Sequence, residues 1–121
     1  MATAMTAADA FAALRHALES NDAEAVLDAY ADDAVVIGYS ERNRPSSAQL
    51  LGGRAEIESW VREVVSRNLT HSFTDEVISD NRFAAVETCV YPTGEHVVSA
   101  FICDVRDGKI VRQVGVEAWD E

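Results

Sequence analysis

Apolar residues recur at helical spacing twice in the first third of the chain. The first stripe predicts a helix that ends near Glu19, and Thr6 with Asp9 forms a capping pattern at its start. The apolar members of this stripe are Phe11, Leu14 and Leu18. A second, shorter helix is predicted between a cap at Asn21 and the pair Asp32-Asp33. Its apolar members are Val26, Leu27 and Tyr30.

A third stripe begins after Gly52-Gly53 and keeps the helical period without a miss. Its members are Ile57, Trp60, Val61, Val64 and Val65. Before this helix, the β-branched run from Ala34 to Tyr39 predicts a strand. The polar segment from Ser40 to Gln49 then predicts an exposed loop. The sequence leaves open whether this loop closes over a binding site.

The second half of the chain predicts a four-stranded antiparallel meander. Turn signals at Asp80-Asn81, at residues 92–95 and at Asp107-Gly108 separate its β-rich segments. Residues 1–121 therefore predict a single α+β domain. In this domain the three N-terminal helices cover one face of a curved antiparallel sheet.

The turn lengths decide which side chains face the helices, because a slip of one residue turns each side chain to the opposite face. The preferred register has two-residue turns at Asp80-Asn81 and Asp107-Gly108 and a three-residue loop, Thr93-Gly94-Glu95, between them. The inward residues then include Val98, Ala100, Ile102 and Gly115, with the polar residues His71, Asp75, Thr88, Gln113 and Glu117. A two-residue middle turn is the alternative, and it would place Glu87 and Cys89 inside.

Small residues on this inward face predict a ligand cavity. Ala100 and Gly115 are adjacent in the preferred register, so they leave room between apolar walls and a few polar groups. The alternative is that Trp60 and Trp119 fill this space.

Charge and composition narrow the range of partners. The 121 residues carry a formal net charge of −11, which would repel nucleic acid and an anionic membrane surface. No apolar stretch approaches the roughly 20 residues that span a bilayer, and residues 1–8 lack a signal-peptide pattern, so we expect a cytoplasmic location. Neither Cys89 nor Cys103 has a histidine at ligand spacing, and we expect no metal and no cofactor. Both cysteines face outward in the preferred register.

The order of elements resembles the SnoaL-like and ketosteroid isomerase-like domains of the nuclear transport factor 2-like superfamily. Three stretches carry the resemblance, and they are residues 30–36 (YADDAVV), residues 53–57 (GRAEI) and residues 107–110 (DGKI). The resemblance implies a cone-shaped sheet whose concave face and covering helices form a pocket. It also implies a homodimer packed through the outer sheet face, where Phe101, Val114 and Val116 are expected.

The same resemblance argues against two known chemistries of this fold. The catalytic and supporting positions of the ketosteroid isomerase pattern fall on Leu14, Gly38 and Val61, and on or next to Ala100. The positions of the limonene epoxide hydrolase pattern fall on Thr88, Val90 and Gly115. None of these residues supplies the acid, base or phenol that those mechanisms need.

Proton transfer therefore has to come from other inward residues. His71 is the best candidate for acid/base chemistry, with Glu117 or Asp75 in support. Alternatively, His71 is a satisfied histidine, Glu117 a rim charge and Asp75 the partner of Arg62 or Arg67. The expected ligand-binding residues are Tyr39, Trp60, Thr88, Gln113 and Trp119.

The sequence thus predicts a protein that binds a small hydrophobic molecule, similar to a polyketide or a steroid. Its activity would be that of a cofactor-free isomerase, cyclase or hydrolase. The alternative is a domain that binds a ligand or a partner without catalysis.

Overall fold

The structure is a computed structural model that describes residues 5–120. The helices are α1 (Ala7–Glu19), α2 (Ala23–Asp28) and α3 (Arg54–Ser66), with a short 3₁₀ turn at Pro45–Ser47. The strands are β1 (Tyr30–Tyr39), β2 (Gln49–Gly52), β3 (Thr70–Ile78), β4 (Arg82–Val90), β5 (His96–Arg106) and β6 (Lys109–Trp119). No helix within residues 5–120 is long and apolar enough to cross a membrane.

The α+β fold is confirmed: three helices pack against one curved, open sheet with the strand order β2-β1-β6-β5-β4-β3. The sheet is mixed, because β1 pairs with β6 in parallel while every other pair is antiparallel. Strand β2 begins at Gln49, the last residue of the predicted loop, and it pairs with β1. Its short length explains why the polar sequence around it gave no strand signal.

The N-terminal helices confirm one predicted cap and correct the other. Thr6 and Asp9 form the reciprocal capping box of α1. Helix α2 is capped by Asp22, not by Asn21, whose φ of 50° lies in the left-handed region. It ends at Asp28, so Tyr30 begins β1 rather than continuing the helix. This change places the Tyr30 ring in the core under the concave face of the sheet.

An aromatic cluster fills the core between α1 and the sheet. Phe11 of α1 contacts Phe73 and Phe83, whose ring centroids lie 5.8 and 5.1 Å from its own. Phe101 of β5 packs edge-on against both of these strand residues. All four rings are buried, and they close one end of the space beneath the helices.

Two bulges set the register of the antiparallel strands β3 to β6, and the parallel pairing of β1 with β6 shifts as well, between Tyr30 and Val35. In β3 the pairing shifts between Thr74 and Val77, where Asp75 has a φ of 56°. In β6 the pairing shifts because Ile110 pairs with Val105 while Arg112 pairs with Asp104, so Val111 is the extra residue. Each bulge turns the remainder of its strand to the opposite face.

The predicted turns are largely confirmed, but the prediction of which residues of β4 and β5 face the helices is wrong. Both two-residue turns are present. The middle loop has three residues, as predicted, but they are residues 92–94 rather than Thr93-Gly94-Glu95, because Tyr91 pairs with Glu95. Gly94 has positive φ in this loop. The bulges, however, pair His71 with Cys89 and Gln113 with Cys103. The concave face therefore carries the odd-numbered residues of β4 and β5, and the even-numbered ones lie on the convex face.

This correction changes the position of several residues. The residues expected inside but found on the convex face are Thr88, Val98, Ala100 and Ile102, of which Val98, Ala100 and Ile102 are exposed. Those expected outside but found buried on the concave face are Cys89, Phe101 and Cys103. Asp75 is exposed at the bulge of the edge strand. The concave positions of His71, Gln113, Gly115 and Glu117 agree with the prediction.

Candidate functional site

A cavity of about 300 Å³ lies between the three helices and the concave face. Its walls are mostly apolar, with Leu14 and Leu18 from α1 and Trp60 and Val64 from α3. The first residues of the segment between β1 and β2, including Arg42, also border it. Its volume is at the lower end of the range that binds small organic molecules.

The middle of the cavity is open because two glycines are adjacent in the sheet. Gly38 of β1 pairs with Gly115 of β6, and Gly115 in turn lies opposite Phe101 of β5. A Cβ atom at Gly115 would make only ordinary contacts, at 3.5 Å from Phe101 Cβ and 3.6 Å from Ala100 O. Missing side chains, rather than backbone strain, therefore create this space.

His71 and Glu87 form a buried hydrogen-bonded pair at the edge of the cavity. His71 Nδ1 lies 2.6 Å from Glu87 Oε2, and the two side chains are 2% and 14% exposed. His71 Nε2 is buried and has no hydrogen-bond partner within residues 5–120. Both residues line the cavity, and the Glu87 carboxylate is the more exposed of the two.

Cys89 completes a cluster of three residues whose side-chain types bind metals. Its Sγ lies 3.4 Å from His71 Nδ1, and the ligand-type atoms of His71, Glu87 and Cys89 lie within 4.8 Å of one another. Neither cysteine has a histidine at ligand spacing along the sequence, but the pairing of β3 with β4 brings His71 and Cys89 together. Two ligands of one tetrahedral zinc ion are about 3.3 Å apart, from bond lengths near 2.0 Å. The 2.6 Å contact is instead a hydrogen bond, so a metal would require Glu87 to move away from His71.

The Cys89 thiol is poorly suited to act as a nucleophile. Burial raises the pKa of Cys89 well above its ordinary value, and the charge of Glu87 adds to the rise. The thiol and the Glu87 carboxylate both contact the same ring nitrogen, His71 Nδ1. This arrangement differs from a catalytic triad, in which the base uses one ring nitrogen for each partner.

A second carboxylate lies on the same row of the sheet as Glu87. Ser99 pairs with Glu87 on one side and with Glu117 on the other, and all three residues line the cavity. The two glutamate Cα atoms are therefore about 10 Å apart, at about 4.8 Å per strand. Burial raises the pKa of Glu117, and the charge of Glu87 adds to this rise while Arg67 opposes it.

The buried end of the cavity carries a second polar group. Tyr30 Oη donates a hydrogen bond of 2.7 Å to Gln113 Oε1, and the Cys103 thiol donates to the same oxygen at 3.5 Å. Tyr30 and Cys103 are both buried. Burial also raises the pKa of Tyr30 well above its ordinary value, so the phenol stays protonated and remains a donor.

Aromatic and cationic groups surround the opposite end. Trp119 has the guanidinium carbons of Arg42 and Arg67 at 5.7 and 5.9 Å from its ring centroid. Arg67 also pairs with Glu63 and donates a hydrogen bond of 3.3 Å to Tyr91 Oη. These contacts hold the indole at the border of the cavity near Glu117.

The structure brings together five of the eight residues singled out in the sequence. The residues that line the cavity are His71, Glu117, Trp60, Gln113 and Trp119. Tyr39 pairs with the convex residue Val116. Thr88 and Asp75 also lie outside the cavity. The bulge in β3 changes the pairing with β4, which puts Thr88 on the convex face, and Asp75 is exposed at the bulge itself.

Sequence reasoning missed Glu87, Ser99 and Tyr30 as residues of the site. The alternative register correctly placed Glu87 and Cys89 on the inward face. The cause is the bulge in β3, however, and not a shorter middle turn. Tyr30 was assigned to a helix, so its contact with Gln113 had no sequence signal.

Seven positions align with the known catalytic patterns, and four of them line the cavity without carrying a reactive group. These four are Leu14, Gly38, Val61 and Gly115. The other three, Thr88, Val90 and Ala100, lie on the convex face. The cavity therefore keeps its place in the fold while its polar groups come from other positions.

The chain is similar in sequence to a known family of domains and in fold to several solved structures. A family model described as SnoaL-like domain matches residues 10–113. No curated protein matches the sequence.

Solved structures agree with this fold. A putative ketosteroid isomerase from Kribbella flavida is similar with a TM-score of 0.73 and 17% identity, over 99% of this chain and 83% of that one. A putative polyketide cyclase, IdmH from Streptomyces antibioticus, has a TM-score of 0.66 and 21% identity, over 91% and 90%. A computationally designed 17-OHP binder has a TM-score of 0.72 and 21% identity, over 93% of both chains.

Proposed function

We propose that this chain, which belongs to the SnoaL-like domain family, binds a small and largely apolar molecule in its cavity and transfers a proton on it without a cofactor. The observation that carries this proposal is the pair Glu87 and Glu117 beside the space above Gly38 and Gly115. Apolar walls with a few converging polar groups are typical of small-molecule sites. Two proteins of similar fold, the designed 17-OHP binder and the putative polyketide cyclase, support the same ligand class.

The two carboxyl groups differ in environment, which supports separate roles. Glu117 is held nearer its protonated form because burial raises its pKa. Glu87 accepts a hydrogen bond from His71, which keeps its carboxylate in place and facing the cavity. A pair of titratable groups in different environments is suited to general acid and base catalysis.

The reaction type that fits these groups is enolisation of a carbonyl compound. The Glu87 carboxylate takes a proton from the carbon next to a carbonyl, and the electron pair of that C–H bond moves to form an enolate. Glu117 in its acid form then gives a proton to the substrate, which completes an isomerisation or prepares a ring closure. His71 is a positioning residue in this scheme, because its imidazole is only 2% exposed and its Nδ1 atom bonds to Glu87.

A non-catalytic binding role is the second candidate. It is favoured by Leu14, Gly38 and Val61, which replace the reactive residues of the isomerase pattern at positions that line the cavity. Both candidates require the cavity to bind a ligand, and only the first requires proton exchange.

An exchange experiment separates the two functions. Androst-4-ene-3,17-dione, which has enolisable C–H bonds, is incubated with the protein in D₂O, and deuterium incorporation is followed by mass spectrometry. We expect wild-type protein to accelerate incorporation, and Glu87→Gln and Glu117→Gln each to slow it at least about tenfold. Glu95→Gln, at the exposed hairpin, is the matched control and should exchange as the wild type does.

Two results would contradict catalysis by Glu87 and Glu117. Binding of the dione without accelerated exchange would favour the non-catalytic role. Accelerated exchange that survives both cavity substitutions would assign the chemistry to other groups.

We also infer that two copies of the chain associate through the convex face. This face exposes apolar side chains in adjacent strands, and they include Val98, Ile102 and Val116, which are 41%, 46% and 57% exposed. Clustered exposed apolar residues are typical of interaction surfaces. Phe101, which the sequence assigned to this surface, belongs to the core instead.

A further inference from the structure

We infer that the ligand carries a carbonyl or another hydrogen-bond acceptor at the end that enters the buried part of the cavity, where the amide nitrogen of Gln113 binds it. This inference rests on the proposed function and specifies the chemistry of the ligand. It makes Gln113 a specificity-determining residue and Tyr30 the residue that fixes its orientation.

The orientation of the Gln113 amide follows from its two neighbours. Tyr30 Oη and Cys103 Sγ both lie within hydrogen-bond reach of the same atom, Gln113 Oε1. The phenol and the thiol each carry a proton that needs an acceptor, and the oxygen is the end of the amide that can accept both. The reversed amide would leave the Tyr30 hydroxyl without an acceptor in a buried environment.

The fixed oxygen leaves the amide nitrogen for the ligand. Gln113 Nε2 makes no hydrogen bond to any residue within 5–120, and it is not among the buried atoms that lack a partner. It is therefore accessible, and Gln113 lines the cavity. An accessible –NH₂ group at the end of an apolar cavity offers two donors and no acceptor.

The two ends of the cavity thus bind different chemical groups. Gln113 and Glu117 lie on the same face of β6, four residues apart, which corresponds to about 13 Å along the strand. Gly115 lies between them and leaves the space for an apolar body. An elongated, rigid molecule with an acceptor at one end and a reacting group near the carboxylates at the other fits this arrangement.

The substitution that isolates this contact is Gln113→Glu. Glutamate has the same shape and still accepts hydrogen bonds from Tyr30 and Cys103, but it has lost both amide donors. Two steroid probes make the test independent of which end enters first. Androst-4-ene-3,17-dione has acceptors only at both ends, whereas 5α-androstane-3,17-diol has hydroxyl donors at both ends.

Binding of both probes is measured by isothermal titration calorimetry with wild-type protein, with Gln113→Glu and with Asn81→Asp. Asn81→Asp makes the same amide-to-carboxylate change at the exposed turn between β3 and β4, outside the cavity. We expect Gln113→Glu to lower the affinity for the dione at least about tenfold relative to the diol. Asn81→Asp should keep the wild-type ratio of the two affinities.

The outcomes separate this inference from the proposed function. If both probes bind the wild type and Gln113→Glu leaves their affinity ratio unchanged, the inference is wrong while the binding function stands. If neither probe binds the wild type, the steroid-like ligand class fails. Circular dichroism and thermal unfolding of Gln113→Glu confirm that a loss of affinity reflects a folded protein.

Discussion

Gly38 of β1 and Gly115 of β6 are direct neighbours in the parallel pairing of these strands, and together they remove two side chains from the middle of the concave face. The polar groups of the cavity lie to either side of this gap, with Gln113 at one end and Glu117 at the other. The two glycines therefore account for the open space, and in the proposed function their neighbours Gln113 and Glu117 determine which ligand binds there.

Filling this gap should block the cavity without unfolding the protein. In Gly115→Leu the first added carbon makes ordinary contacts with Phe101 and Ala100, so the side chain continues into the cavity. We expect the affinity for androst-4-ene-3,17-dione to fall at least about tenfold, since a buried leucine occupies space that the ligand needs. Titration calorimetry measures the affinity, and thermal unfolding checks that the variant is folded.

The control for this prediction is Ala100→Leu. Ala100 lies opposite Val116 on the convex face, so the substitution adds apolar volume in the same part of the sheet but outside the cavity. Its affinity for the probe should match that of the wild type. Equal affinity in Gly115→Leu would show that the ligand lies elsewhere.

The fold was more predictable from the sequence than the faces of its strands. Helix α3 followed from an uninterrupted apolar period, and the two-residue turns followed from Asp80-Asn81 and Asp107-Gly108. The bulges were not predictable, because an aspartate with positive φ at Asp75 and an extra valine at Val111 have no distinctive local pattern. Two one-residue shifts were enough to move Glu87 into the site and Asp75 out of it.

Glu117 should make the folded state less stable as the pH rises. Burial raises the pKa of this carboxyl above its ordinary value near 4.5, so the folded state binds the proton more tightly than the unfolded state. The stabilising contribution is fully present below the unfolded-state pKa and is lost as the pH rises through the folded-state pKa. Glu117→Gln removes this dependence.

The measurement is urea unfolding of both proteins from about pH 4 to about pH 8. The difference in unfolding free energy should shift in favour of Glu117→Gln as the pH rises above about 4.5 and then level off. Glu95→Gln, on an exposed residue, should show no such trend. A constant difference between Glu117→Gln and the wild type would contradict the effect of burial on this carboxyl.

The pair His71 and Glu87 should contribute to stability as well as to the site. Glu87→Ala leaves the buried Nδ1 atom of His71 without its 2.6 Å partner, which is expected to cost about 1–3 kcal/mol. Glu87→Gln keeps an acceptor oxygen and should lose less. Urea unfolding compares the two variants, and an equal loss in both would mean that the hydrogen bond contributes nothing beyond packing.

Tyr30→Phe should affect both stability and selectivity. The variant keeps the edge-on packing against Trp60, at a centroid distance of 6.2 Å, but it removes the donor to Gln113 Oε1. We expect a loss of about 0.5–1.5 kcal/mol in unfolding free energy. Because the amide can then turn over, the preference for the dione over the diol should also decrease in calorimetry.

A variant that is less stable but keeps the full preference would separate the two roles of Tyr30. In that case the Cys103 thiol alone would suffice to orient the amide. Cys103→Ala combined with Tyr30→Phe would then be needed to release it, and the combined variant should lose the preference.

Association through the convex face should depend on its exposed valines and isoleucine. The Val116 side chain is 57% exposed beside Ile102 and Val98, and apolar groups in this position gain from contact with a second copy. Sedimentation equilibrium should give a mass of twice 13.2 kDa for the wild type and 13.2 kDa for Val116→Lys, because the added lysine would be buried without a partner. Thr93→Lys adds the same charge in an exposed turn and should leave the dimer intact. A wild-type protein that sediments as a 13.2 kDa species at every concentration would show that this face is not an interface between two copies.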